Sequence, residues 1–109
     1  MRRPIIGITS LVLFAIACGS SDAPMGSGVY GGMSKGEQLY RMNCVLCHGG
    51  NGKLGFNGAK DLTASVLTKA EMTARVSEGK GVMQPFKNML TAKEIDAVVD
   101  HVRALAKKK

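Results

Sequence analysis

Cys44-Val45-Leu46-Cys47-His48 is the stretch on which the reading of the whole chain depends. It has the pattern C-x-x-C-H, the attachment signal for a covalently bound c-type haem. Two thiols three residues apart lie on one side of a helical turn, so both can add to the two vinyl groups on one edge of a porphyrin. A histidine directly after the second thiol is carried under the ring, where its imidazole reaches the iron. Two other chemistries use the same residue types. A thioredoxin-like redox pair needs a strand before C-x-x-C within a βαβ unit, and neither is readable here. A structural zinc site needs four ligands, and Cys44, Cys47, His48 and the distant His101 are the available set. Haem attachment is the reading that the surrounding sequence supports.

Helix signals flank this stretch on both sides. Ser34-Lys35-Gly36-Glu37, Thr68-Lys69-Ala70-Glu71 and Thr91-Ala92-Lys93-Glu94 all read S/T-x-x-E, the capping box that opens a helix. They predict a first helix over about 35–43, running into the C-x-x-C-H turn, a middle helix over about 69–78, and a third over about 92–106. Ile95, Val98, Val99, Val102 and Leu105 form an i, i+3, i+4, i+7, i+10 stripe on the third. Met72 and Val76 make a thinner stripe on the middle helix, which Gly79 is placed to stop. Residues 49–58 hold five glycines and an Asn51-Gly52 turn signal, so they read as a loop that approaches something flat. No preceding strand supports a phosphate cradle there. No segment alternates at period two long enough to be a strand, so the domain is expected to be all-α.

Upstream, Arg2 and Arg3 precede an apolar run from Ile5 to Ile16 and a small Ala17. Residues 1–17 therefore read as a bacterial secretory signal, too short for a comfortable membrane span. Pro4-Ile5-Ile6 does not fit a twin-arginine signal. Ala15-Ile16-Ala17 is an A-x-A cleavage site. With Cys18-Gly19 it is also similar to a lipobox, although Ala15 stands where lipoboxes usually carry Leu. A cysteine ending a leader is otherwise a stray thiol in an oxidising space, so Cys18 is expected to be acylated and to anchor the chain to a membrane. Residues 18–33 are rich in Gly and Ser and predict a flexible tether with a reach of roughly 20 Å. The expected location is the periplasm.

Residues 34–109 then form one small domain. Its aromatics are only Tyr40, Phe56 and Phe86. At this size a side-chain core alone supplies only a few kcal/mol. A buried porphyrin would act as both core and staple, an argument independent of the motif. Of the chain's 15 basic residues, Arg2 and Arg3 belong to the leader; the other 13 face 8 acidic ones. That modest excess suits docking to an acidic protein face. Too few aromatics are present for base stacking, which argues against nucleic acid. Lys80, Lys87 and the tail Lys107-Lys108-Lys109 are the candidate docking charges.

The second axial position decides what the iron does. A thioether there closes the iron and raises its potential, whereas an open site permits gas binding or peroxide chemistry. Met1 leaves with the leader, Met25 and Met33 lie in the tether, Met42 is beside the attachment turn, and Met72 reads as core. Met83, after Gly79 and Gly81 and before Pro85, is the favoured ligand on an extended loop. Met89 is the rival.

Taken together, these residues resemble the small class I bacterial cytochromes c. The resemblance runs from Gly36-x-x-x-Tyr40 through Cys44-x-x-Cys47-His48-Gly49 and Gly79-x-Gly81-x-Met83-x-Pro85-Phe86 to Leu90-Thr91-x-x-Glu94-Ile95-x-Ala97-Val98-Val99. It implies three main helices around one covalently attached haem c. The first and third would cross closely at Gly36 and Tyr40, and one haem edge would stay exposed for electron exchange. Two features depart from the family: Gln84 separates Met83 from Pro85, and His101 stands where an aromatic is usual in the third helix. His101 is expected to pack at the crossing. The implied function is electron transfer between redox proteins, with no small-molecule substrate and no enzymatic activity. The alternative is a haem enzyme or sensor with an open or displaceable sixth position, for which no distal histidine or arginine pair is apparent near Met83.

Overall fold

The structure, a computed structural model, describes residues 31–108. The expected signal peptide, Cys18, Met25 and all but the last residues of the expected tether lie outside them. Four α-helices follow in order: α1 (Lys35–Asn43), α2 (Val45–His48), α3 (Lys69–Glu78) and α4 (Ala92–Lys107). Two single 3-10 turns, Phe56–Gly58 and Leu62–Ala64, punctuate the loop between α2 and α3. The described residues contain no strand, only an isolated bridge between Lys80 and Met83.

All three expected helices start at their caps. At α3, the Thr68 hydroxyl accepts from the Glu71 amide at 3.2 Å, and Glu71 accepts from the Thr68 amide at 2.7 Å. At α4, Thr91 and Glu94 make the same exchange at 3.2 and 3.0 Å. Each cap contributes about 1 kcal/mol. The box expected at α1 is only half made. Ser34 accepts from the Glu37 amide at 3.2 Å, but Glu37 Oε1 receives Arg41 Nε at 3.1 Å and Nη2 at 3.0 Å. A two-pronged charge-assisted bond outcompetes a single bond from a neutral amide.

The apolar stripes meet in one core. Leu39 and Tyr40 of α1, Met72 of α3, and Ile95, Val98, Val99 and Val102 of α4 are buried together, with Leu105 and Val76 packed at its edge. Tyr40, at 1% exposure, and Val99, at 0%, lie at its centre. Gly36 lets α1 and α4 cross backbone against backbone. A Cβ placed on it would collide with the Ala97 carbonyl oxygen and come within 2.8 Å of its carbon. His101 packs at this crossing, its ring 4.9 Å from that of Tyr40 and tilted 48°. On the outside, Lys69 of α3 bridges Asp96 at 2.9 Å and Asp100 at 2.8 Å on α4. Such exposed pairs fix orientation more than they stabilise.

Candidate haem-binding site

The attachment stretch forms a continuation of the first helix. Cys44 closes α1 by donating its amide to the Tyr40 carbonyl at 2.8 Å, and α2 starts at the next residue. Cys44 is half-buried against the core, while Cys47 is exposed, and no disulfide joins them. Burial pushes the Cys44 thiol up to about 11, with Cys47 adding a smaller contribution in the same direction. A disulfide oxidoreductase needs the opposite, a stabilised thiolate. Among the described residues, no three His, Cys, Asp or Glu side chains gather into a metal-binding group. His101, the fourth member of the zinc alternative, packs on Tyr40 instead.

His48 ends α2, and its Nδ1 lies 3.1 Å from the Lys60 carbonyl oxygen. A carbonyl can only accept, so Nδ1 carries the proton and donates it. The remaining nitrogen, Nε2, is then left with its lone pair, and the ring is fixed in orientation. A backbone carbonyl on one ring nitrogen is the arrangement expected of a histidine that binds a metal through the other. The loop after His48 is closed by its own backbone: the Leu54 amide donates to the His48 carbonyl at 3.0 Å, and the Leu62 amide to the Gly52 carbonyl at 2.9 Å. The Tyr40 hydroxyl donates to the Gly49 carbonyl at 2.6 Å and so ties that loop to α1. Burial, reinforced by the nearby Cys44, pushes the Tyr40 phenol up to about 12, so it stays a donor at all ordinary pH values.

Met83 sits on a different support. Lys80 and Met83 exchange amide-to-carbonyl bonds of 3.0 and 3.1 Å, closing a tight turn over Gly81 and Val82. The segment expected to be extended is instead a closed turn, because its two ends satisfy each other's backbone groups across Gly81 and Val82. The Phe86 amide donates to the Val76 carbonyl at 3.0 Å and returns the chain to α3, with Phe86 buried. Gly79 has φ +70°, and a Cβ there would strike the Met83 carbonyl oxygen, with Gln84 C at 2.7 Å and Pro85 N at 2.8 Å. Gln84 thus follows the turn directly, with its backbone close against Gly79. Met83 is half-buried, whereas Met89 is 57% exposed. Of the expected docking charges, Lys87 is matched internally by Glu78 at 2.8 Å. Lys80 has no carboxylate partner among the described residues.

The chain also carries apolar surface outside its core. Leu46 between the two cysteines, Leu54 and Phe56 in the following loop, Val66, and Val82 in the methionine turn are all more than half exposed. Leu46, Leu54 and Phe56, in the motif and the loop that follows it, mark a binding surface rather than ordinary exterior. A flat hydrophobic macrocycle, two thiols that can add to it and a pre-oriented imidazole are mutually consistent, so the residues present fit a c-type haem.

This fold and donor set define a small mono-haem class I cytochrome c. The chain belongs to the cytochrome c family, with residues 31–102 matching the group described as cytochrome c oxidase, cbb3-type, subunit III. It is 35% identical over 79 residues to a cytochrome c6 of Microcystis aeruginosa, covering 67% of this chain and 96% of that one. A cytochrome c6 of Gloeothece citriformis is 34% identical over 108 residues, 93% of this chain and 94% of the relative. Among solved structures, the c-type cytochrome KustC0563 superposes with a TM-score of 0.60 at 29% identity, covering 64% of this chain and 95% of that one. Cytochrome c6 of the diatom Phaeodactylum tricornutum superposes at 0.55 with 28% identity, over 67% and 92% of the two chains. The cofactor is one covalently bound haem c, and the chain is a haem-based electron-transfer cytochrome.

Proposed function

We propose that Cys44 and Cys47 hold the haem as thioethers, that His48 and Met83 are its axial ligands, and that the chain carries single electrons outside the cytoplasmic membrane. The bond from His48 Nδ1 to the Lys60 carbonyl carries this reading, because it occupies one ring nitrogen and leaves Nε2 of the neutral imidazole as the ligand atom. When bound, the haem supplies a one-electron iron couple whose potential a thioether ligand raises. The residues around it supply rigidity. Tyr40 and Lys60 hold the histidine segment, and Gly79 and the Lys80–Met83 bridge hold the methionine turn.

Met83→Ala is the direct test. The far-red sulfur-to-iron band is expected to disappear and the potential to fall, while Met89→Ala leaves both unchanged. A band that survives Met83→Ala and vanishes in Met89→Ala transfers the role to Met89.

The leader, the tether over 18–33 and acylation at Cys18 belong to the same reading and place the domain on a short leash at a membrane surface. Among the described residues, no helix is long and apolar enough to cross a membrane. Intact mass of the mature chain is expected to show an N-terminal Cys18 with added acyl chains; a mature chain starting elsewhere removes the anchor. The partners are redox proteins with acidic faces, approached through Lys80 and the exposed Lys107 and Lys108. Electron-transfer rate is expected to fall as ionic strength rises; a rate indifferent to salt removes the acidic-face docking.

A further inference from the structure

We propose that the groove between α1, the loop around Asn51 and the end of α4 is a binding site for a small polyvalent anion of the phosphate class. Its volume is about 360 Å³, and Arg41, Lys53, Lys108, His101, Glu37 and Leu105 are among its lining residues. Neither of the attachment cysteines lines it, nor do His48 and Met83. It is therefore a second site, apart from the haem donors, and it shares only Lys108 with the proposed docking charges.

Three permanent cations face this groove against a single lining carboxylate, Glu37. That carboxylate is already satisfied, since Arg41 binds its Oε1 through two nitrogens. Among the described residues, no carboxylate pairs with Lys53 or Lys108. Asp61 feels the charge of Lys53, but its Oδ1 is occupied by the Thr63 amide at 2.8 Å and hydroxyl at 2.7 Å. The cations are also partly pre-arranged. Glu37 holds the Arg41 fork, and Asn51 Oδ1 accepts from the Lys53 amide at 3.1 Å, which fixes the loop carrying that lysine. Pre-arrangement lowers the ordering cost that usually makes exposed lysines poor binders. The free Nη1 side of the guanidinium and two flanking ammonium groups give more donors than one carboxylate can fill, which suits the several oxygens of a phosphate. The groove is larger than a single phosphate needs, so it suits a diphosphate or a phosphate ester whose apolar part lies against Leu105.

His101 makes occupancy visible. Glu37, Tyr40 and Arg41 of α1 face its half-buried ring, Lys108 lies near it just past the end of α4, and Asn51 and Lys53 also line the groove. Burial lowers its proton affinity most; Lys108 and Arg41 push the same way and Glu37 opposes them. An anion seated among these cations would offset Lys108 and Arg41, so His101 would hold its proton to higher pH. By linkage, the anion binds more tightly as pH falls through the His101 midpoint.

The test is an NMR pH titration of the His101 ring protons in the reduced, haem-loaded mature protein at physiological salt. Millimolar inorganic pyrophosphate is expected to raise the midpoint saturably, by about half a pH unit or more. The Lys53→Gln/Lys108→Gln variant is expected to lose that shift. A parallel titration with phosphatidylglycerol vesicles separates the sources: a shift with soluble pyrophosphate assigns a free anion, and one with vesicles alone assigns a lipid headgroup. No saturable shift with either probe overturns the site, as does an undiminished shift in the double variant.

Discussion

Replacing Cys44 and Cys47 together by alanine is expected to give a chain that carries no haem through denaturing electrophoresis. Thioether bonds survive denaturation, whereas a histidine–iron bond does not, so haem staining at the mass of the chain reports the two cysteines directly. Cys44→Ala and Cys47→Ala alone each keep one thioether and are expected to stain, though less than the parent. The stability consequence is as large as the covalent one. The described core contains few large side chains, and Leu46, Phe56 and Val66 contribute exposed apolar area instead of burial. A domain of this size is stable by only about 5 kcal/mol with everything in place. The double variant is therefore expected to lose its cooperative thermal transition. Parental staining in the double variant would move the attachment point elsewhere.

The second large effect is at Gly36, where the sign of the change is diagnostic. Gly→Ala inside a helix ordinarily stabilises by about 1 kcal/mol. Here the added methyl group meets the Ala97 carbonyl, and the His101 Cβ lies 3.3 Å away. Backbone cannot rotate aside as a side chain can, so the whole of α1 must lift from α4. A clash with backbone belongs at the upper end of the roughly 1–3 kcal/mol that overpacking costs, so Gly36→Ala is expected to be destabilised by about 2 kcal/mol once the helix gain of about 1 kcal/mol is subtracted. For a domain under 100 residues, that lowers Tm by roughly 8–16 °C. Gly50→Ala is the control, because nothing lies within 4 Å of its added methyl. A Tm for Gly36→Ala at or above the parent would mean that the crossing is loose.

Much of the architecture is legible in the sequence because its determinants are local. A hydroxyl at 34, 68 or 91 with a glutamate three residues later is enough to start each helix, and Gly79 is enough to stop α3. The stripe from Ile95 to Leu105 identifies the buried face of α4 without any partner being known. The short turn capped by Asp61 is equally local, since Asp61 accepts from Thr63 two residues on. What the sequence does not carry is the bracing of the site. Tyr40 to Gly49 and His48 to Lys60 each join a side chain to a distant backbone carbonyl. Every residue has a carbonyl, so the accepting partner leaves no mark in the sequence. Charge pairing is hidden for a similar reason. Glu37 chose Arg41 over its own helix cap, and Lys87 found Glu78, because reach and orientation decide between chemically equivalent partners.

The clasp between α1 and α4 also has a temporal side. The ribosome delivers α1 early and residues 95–102 more than fifty positions later, yet Leu39 and Tyr40 are buried largely against those last-made side chains. No nearby segment can substitute for them, and loop-closure entropy opposes any premature pairing. Until α4 emerges, the core has no second wall. Cys44, which the finished fold half covers, stays open to solvent throughout that interval. The order of synthesis thus leaves Cys44 uncovered until the two helices meet, whereas Cys47 stays exposed in the finished fold as well.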